Sequence, residues 1–229
     1  MNIVAIESVV WQKTPAVFPS LAANAIHVWR TPLNLSADKI HIAQSVLSPD
    51  EIERAVKFKF LMHQQKFIVA RGTLRYLLGQ YLAQSPESIV FQYTDKGKPY
   101  IADQSIFFSV SHSNDWATYS IGLVEKLGID VEKIRHDLTI ASIAARFFSA
   151  DESQHLQTLP TAQKTQLFFH LWTCKEAFVK ATGHGLTESL SREVHQEDCL
   201  ITPFYLADNY IAALISPTQI DHIQFWNYG

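Results

Sequence analysis

Gly128-Ile129-Asp130-Val131-Glu132 decides how the chain is organised. Apolar Ile129 and Val131 alternate with acidic Asp130 and Glu132, the period-2 pattern of a strand with one buried face. Downstream, helices are expected over Leu138 to Phe148, Asp151 to Leu159 and Leu167 to Ala181, the last strongly amphipathic. Strands over Cys199 to Leu206, Asn209 to Ile215 and His222 to Trp226 follow, separated by turns at Ala207-Asp208 and Ser216-Pro217. Upstream, the same order occurs a first time. Ile26, Val28 and Arg30 alternate with His27 and Trp29 in a strand that ends at Thr31-Pro32. Ser48-Pro49-Asp50-Glu51 supplies an N-cap, a proline at the first helical position and acid in the first turn of a helix reaching about Lys59. A second helix, about Gln64 to Leu82, puts Phe67, Ala70, Leu74, Leu77 and Leu78 on one face and Lys66, Arg71 and Arg75 largely off it. Strands are expected over Ile89 to Tyr93, Ile106 to Ser111 and Trp116 to Val124, with a turn at Thr94-Asp95-Lys96-Gly97. The fold class is therefore α+β: two similar halves, 1–124 and 125–229, each a small antiparallel sheet of three or more strands packed with helices.

Composition narrows the function. The chain has 229 residues, 47% hydrophobic and 18% charged, too apolar for disorder and long enough for one large core or two small ones. A net charge of −3 disfavours nucleic acid or anionic lipid as partner. That charge is split, with 11 basic and 9 acidic residues up to Val124, then 8 and 13 from Glu125 onward. Cys174 and Cys199 form neither a disulfide framework nor a zinc spacing, which suits a reducing, cytoplasmic setting. The first residues, MNIVAIESVVWQKTP, lack a basic segment and carry Glu7 within their apolar run; neither an export signal nor a membrane span is expected.

Four clusters could carry chemistry. Asp130 and Glu132 project from one strand face, where two carboxylates raise each other's pKa unless a cation lies between them; such hard oxygens suit Mg²⁺, and an ordinary solvated acidic face is the plainer alternative. In LWTCKEAFVKATGHGL, Trp172, Glu176 and Lys180 fall at i, i+4 and i+8, which by itself also describes a simple helical ion pair. FFSVSHS, Phe107 to Ser113, gathers serines and a histidine at the end of an apolar strand, and GxSxG is absent. Lys96-Gly97-Lys98-Pro99 offers two ammonium groups around a glycine, a phosphate clamp or a solvated turn; GxxxxGK[ST] and GxGxxG do not occur. Gly183-His184-Gly185 is the expected cap of the last helix.

Taken in order, GKP, SxSHS, GIDVE, RFFSxDE and WTCKEAFxKATGxGL resemble the Sfp-type 4′-phosphopantetheinyl transferases from about Leu47 to Leu186, with the VWRxPL texture of cyanobacterial members. The resemblance implies Mg²⁺-dependent transfer of the phosphopantetheine arm of coenzyme A to a serine of an apo acyl or peptidyl carrier protein of fatty acid, polyketide or nonribosomal peptide synthesis, releasing adenosine 3′,5′-bisphosphate. On the matching positions it implies Asp130, Glu132 and Glu176 as metal ligands, with Mn²⁺ a possible substitute for Mg²⁺. It implies Glu176 as base, directly or through the metal's water, and Lys180 as the group that stabilises the departing phosphate. Ser111, His112, Lys96 and Lys98 would contact the coenzyme, and Arg54, Lys66 and Arg71 are the candidates for its 3′-phosphate, because Glu51 stands where relatives carry a lysine. Ser109 replaces the usual Asn before SHS. Length favours a pseudo-twofold monomer over the half-length trimeric type. An inactive binding module that keeps the fold, or an unrelated Mg²⁺-dependent phosphodiesterase, are the other readings.

Overall fold

Alternation around Val28 yields an eight-residue strand, β2 (Ala25–Pro32), after a short β1 (Trp11–Gln12). Three helices follow, α1 (Ala37–Ser45), α2 (Pro49–Val56) and α3 (Leu61–Leu82). Next come a hairpin, β3 (Phe91–Tyr93) and β4 (Pro99–Ile101), and a longer pair, β5 (Phe107–Ser113) and β6 (Trp116–Gly122). The second half runs β7 (Gly128–Lys133), α4 (Ile140–Phe147), α5 (Ala150–Thr158), α6 (Thr161–Thr182), β8 (Leu200–Ala207), β9 (Tyr210–Ser216) and β10 (His222–Asn227). The computed structural model describes residues 4–103, 105–136, 140–183 and 199–229; Leu138, His184, Gly185 and Leu186, which the expected helix start and cap motif include, lie outside them.

The α+β class holds, and three details differ from expectation. α1 is an added helix: its own sequence is only weakly amphipathic, and it forms against α3 at Gly72, where a side chain would come within 2.5 Å of the Ala43 carbonyl. The last strand leaves its own half. β10 lies between β1 and β2 in a five-stranded sheet ordered β1-β10-β2-β6-β5, while the second half keeps β7-β9-β8. The division at residue 124 is thus crossed by the chain's end. β10 also runs parallel to β2, with Ile223 beside Ile26 and Trp226 beside Trp29, so the sheet is mixed and not purely antiparallel. A tight hairpin forces antiparallel pairing, but a strand arriving from another sheet is free of that constraint. Packing holds it there: Trp226 stacks on Trp29 at 5.7 Å and Phe225 meets Phe204 edge-on at 5.0 Å. Alternate residues of β2 serve two cores, Trp29 facing Leu74, Leu77 and Leu78 of α3, Ile26 and Val28 facing Ile129 and Val131 of β7.

The third correction concerns Arg71 and Arg75, expected on the solvent side of α3 and found buried. Glu51, itself buried, accepts from Arg75 Nε at 2.6 Å and stands 3.5 Å from Arg71 Nε; Arg75 also donates to the carbonyls of Ile89 (2.8 Å) and Pro86 (3.1 Å). The same Glu51 receives the Ser48 N–H at 3.0 Å, closing the cap of α2. The second half repeats the device. Glu152 closes the Ser149 cap of α5 at 2.8 Å and pairs with buried Lys175 of α6 at 2.9 Å. In each half one carboxylate both caps a short helix and pins it to the long one. Removing one partner of such a buried pair strands the other's charge at a cost of about 3–5 kcal/mol.

Candidate active site

The halves meet where β5 and β7 run side by side without sharing a backbone ladder. Serines at alternate positions of β5 project to one side and make the connection. Ser109 Oγ accepts from Ile129 N–H at 3.1 Å, so the residue standing in for the usual Asn still makes a hydrogen bond. Ser111 Oγ donates to Asp130 Oδ1 at 2.8 Å, and Ser113 Oγ donates to Glu132 Oε2 at 2.9 Å while accepting from Lys133 N–H at 3.1 Å. The SxSxS alternation over Ser109, Ser111 and Ser113 is the sequence signal for this contact. His112, between two of these serines, lines the cleft with Ser109 and Ser111.

α6 closes the site from the opposite side. It lies so near β7 because position 128 has no side chain: a Cβ there would overlap the Ala177 carbonyl oxygen and sit 2.6 Å from Ala181 N. That approach sets Lys180 Nζ 2.7 Å from Asp130 Oδ1 and 2.9 Å from Ser111 Oγ. Asp130 Oδ2, by contrast, is buried with no hydrogen-bond partner. Burial, and then the neighbouring Asp130 charge, push Glu176 up to about 7 and raise Glu132 above the usual carboxylate range. Enclosure by the cleft walls and the Lys180 charge push His112 below its ordinary value. Three carboxylates facing one space thus hold more negative charge than the protein alone neutralises. Among the described residues no three His, Cys, Asp or Glu side chains stand close enough together to hold a metal ion as they are.

A cleft of about 1240 Å³ opens from this point. Of the residues singled out above, Asp130, Glu132, Glu176, Lys180, Ser111, His112, Arg54, Arg71, Lys96 and Lys98 all line it. Lys66 is placed apart from them, its ammonium held by Asp115 at 3.0 Å. Arg71 lines the cleft: its guanidinium is within 5.1 Å of the Phe91 ring centroid, and its Nη1 is buried with no hydrogen-bond partner. Lys96 and Lys98 are anchored on backbone. Lys96 donates to the Gly183 carbonyl at 2.7 Å, and Lys98 to the Lys180 carbonyl at 2.6 Å, so the β3–β4 turn satisfies the end of α6 where Gly183 adopts φ +70°. Burial first, then Lys180, lowers the Lys98 ammonium below its ordinary value.

Residues 126–216 match the 4′-phosphopantetheinyl transferase superfamily, and residues 31–121 match the family described as 4′-phosphopantetheinyl transferase, N-terminal. The chain is 38% identical over 173 residues to the 4′-phosphopantetheinyl transferase HetI of a Nostoc species, covering 74% of this chain and 73% of that one. It belongs to the 4′-phosphopantetheinyl transferase superfamily. Two further relatives come from bacilli. The 4′-phosphopantetheinyl transferase psf-1 of Bacillus pumilus is 32% identical over 74% of this chain and 79% of its own, and Sfp of Bacillus subtilis is 28% identical over 82% and 83%. The two family matches divide along the two halves: Asp130, Glu132 and Glu176 fall in the first-named, and Arg54, Arg71, Lys96 and Lys98 in the second. Among the described residues no helix of this superfamily member is long and apolar enough to cross a membrane.

Proposed function

We propose that this transferase moves 4′-phosphopantetheine from coenzyme A to a serine of an apo acyl or peptidyl carrier protein, with Mg²⁺ held by Asp130, Glu132 and Glu176, and releases adenosine 3′,5′-bisphosphate. The observation that carries this reading is the buried, unpartnered Asp130 Oδ2 among three carboxylates, two of them with raised pKa values. Such a set fits a hard divalent cation, and the cation's chemistry would be to neutralise charge on the pyrophosphate.

The protein's own groups account for the remaining steps. The carrier serine hydroxyl attacks the phosphorus bonded to pantetheine; its oxygen forms the new P–O bond, and the bond to the bridging pyrophosphate oxygen breaks. Glu176, which faces the cleft beside Asp130 and Glu132, takes the serine proton, directly or through water. Lys180, one turn further along α6, stabilises the negative charge left on the departing nucleotide phosphate. Arg54 and Arg71 suit the nucleotide's 3′-phosphate, and His112 the pyrophosphate side.

The direct test incubates the protein with coenzyme A, Mg²⁺ and apo carriers from fatty acid, polyketide and peptide synthetic systems, and weighs the carrier by mass spectrometry. Gain of one phosphopantetheine is expected, and no gain on any carrier overturns the reading. A pH prediction follows from Glu176. Its pKa is raised in the folded protein, so it is largely protonated below about 7 and cannot accept a proton there. The kcat/KM at limiting Mg²⁺ should rise with pH through about 7, and saturating Mg²⁺ should move that limb downward, because cation and proton compete for one carboxylate. A limb unmoved by Mg²⁺ would contradict the shared role.

A further inference from the structure

Large apolar side chains are exposed singly over most of the surface, except where α2 hands over to α3. There Val56, Phe58, Phe60, Leu61 and Met62 are between 38% and 65% exposed, with exposed Lys57 and Lys59 interleaved. A contiguous apolar patch of this kind marks an interaction surface.

Its charge is as distinctive as its polarity. No Asp or Glu occurs between Glu53 and Glu87, a stretch that holds Arg54, Lys57, Lys59, Lys66, Arg71 and Arg75 in a protein of net charge −3. Of these, Arg71 and Arg75 are buried against Glu51 and Lys66 is paired with Asp115, so Arg54, Lys57 and Lys59 are the cations exposed beside the patch; Glu53 bridges Lys57 at 2.9 Å, but both side chains are about 70% exposed and such a pair does little to cancel the local field. The 22-residue α3 starts here with no acid in its first turn, adding the positive end of its dipole. The patch also continues into the cleft, since Arg54 and Phe58 line both.

We propose that Val56 to Met62 is the docking surface for the carrier protein, engaging an exposed helix whose apolar side chains are flanked by Asp and Glu. The inference rests on the transfer reading and adds where the macromolecular substrate sits. A partner seated on this rim keeps its folded body outside the cleft while a serine at the edge of its docked helix reaches inward past Phe58. Aromatic and aliphatic anchors ringed by lysines are the complement of such a helix, the apolar contacts supplying affinity and the lysines steering and register.

Two surface variants test it, Phe60→Ser/Leu61→Ser and Lys57→Glu/Lys59→Glu, each with wild-type melting behaviour as the check on folding. Transfer from coenzyme A to an acidic apo acyl carrier protein should show the carrier KM raised about tenfold or more in both, with the KM for coenzyme A and kcat within twofold of wild type. The defect of the lysine variant should shrink as salt is added. An unchanged carrier KM in both variants, with wild type active, overturns the docking surface and leaves the transfer reading intact; an inactive wild type overturns both. If instead the serine variant disperses a wild-type dimer in sedimentation velocity, or abolishes co-sedimentation with phosphatidylserine vesicles, while carrier KM is unchanged, the patch serves a second copy or a membrane and the proposal is wrong.

Discussion

Asp130→Asn is expected to lower kcat/KM for phosphopantetheine transfer by about 10²–10³-fold, the scale seen when one preorganised electrostatic partner is lost from an active site. Asparagine keeps the size of the side chain and an oxygen for Ser111, whose hydroxyl donates at 2.8 Å, so the strand contact between the halves survives. What disappears is the negative charge that faces Lys180 at 2.7 Å and the second carboxylate oxygen, now buried and unpartnered. Two further signs separate loss of charge from general damage. The acid limb of the pH profile should move down, because Asp130 is one of the causes that raise Glu176. The Mg²⁺ concentration needed for half-maximal rate should rise, because one of three hard ligands is gone. An Asp130→Asn enzyme within fivefold of wild type at ordinary Mg²⁺ would remove this residue from the metal site.

Gly128→Ala is the second large effect, and it acts through distance. A methyl group at this position overlaps the Ala177 carbonyl and falls 2.6 Å from Ala181 N and 2.9 Å from Ala181 Cβ, all of them on α6. These are backbone and short side-chain atoms of a 22-residue helix, so relief requires α6 to move away from β7. Overpacking of this kind costs about 1–3 kcal/mol, to be read from the urea midpoint. The activity loss should be larger in proportion, because Glu176 and Lys180 travel with α6 while Asp130 and Glu132 stay on β7; a displacement near 1 Å costs on the order of 10²-fold in rate. Retained activity with lowered stability would show that the helix tilts about this point without shifting its acidic face.

Much of this was legible in the residues, and what was not has physical reasons. GIDVE announced a strand with paired carboxylates because period-2 alternation is a local property, and Glu176 and Lys180 followed from helical spacing. The pairing of Asp130 with Lys180 joins residues 50 apart, and nothing local encodes it. Arg71 and Arg75 look solvent-facing on a helical wheel because the wheel omits their counterion, Glu51, which lies on another helix. A signal existed all the same: Ser48-Pro49-Asp50-Glu51 and Ser149-Ala150-Asp151-Glu152 repeat one another, each followed about 24 residues later by a buried cation. The ion pair of Lys66 is equally hidden from local sequence, its acidic partner Asp115 sitting on a β-turn 49 residues on.

The placement of β10 bears on how such a protein is made. Arg30 and Asn227, which face each other across β2 and β10, are 197 residues apart. A ribosome delivers the first half long before that strand emerges, and until then β2 keeps one edge unpaired beside the apolar surfaces of Val28 and Trp29. The first half's sheet is therefore completed only by residues of the second, and a pairing of this sequence separation is expected to form slowly.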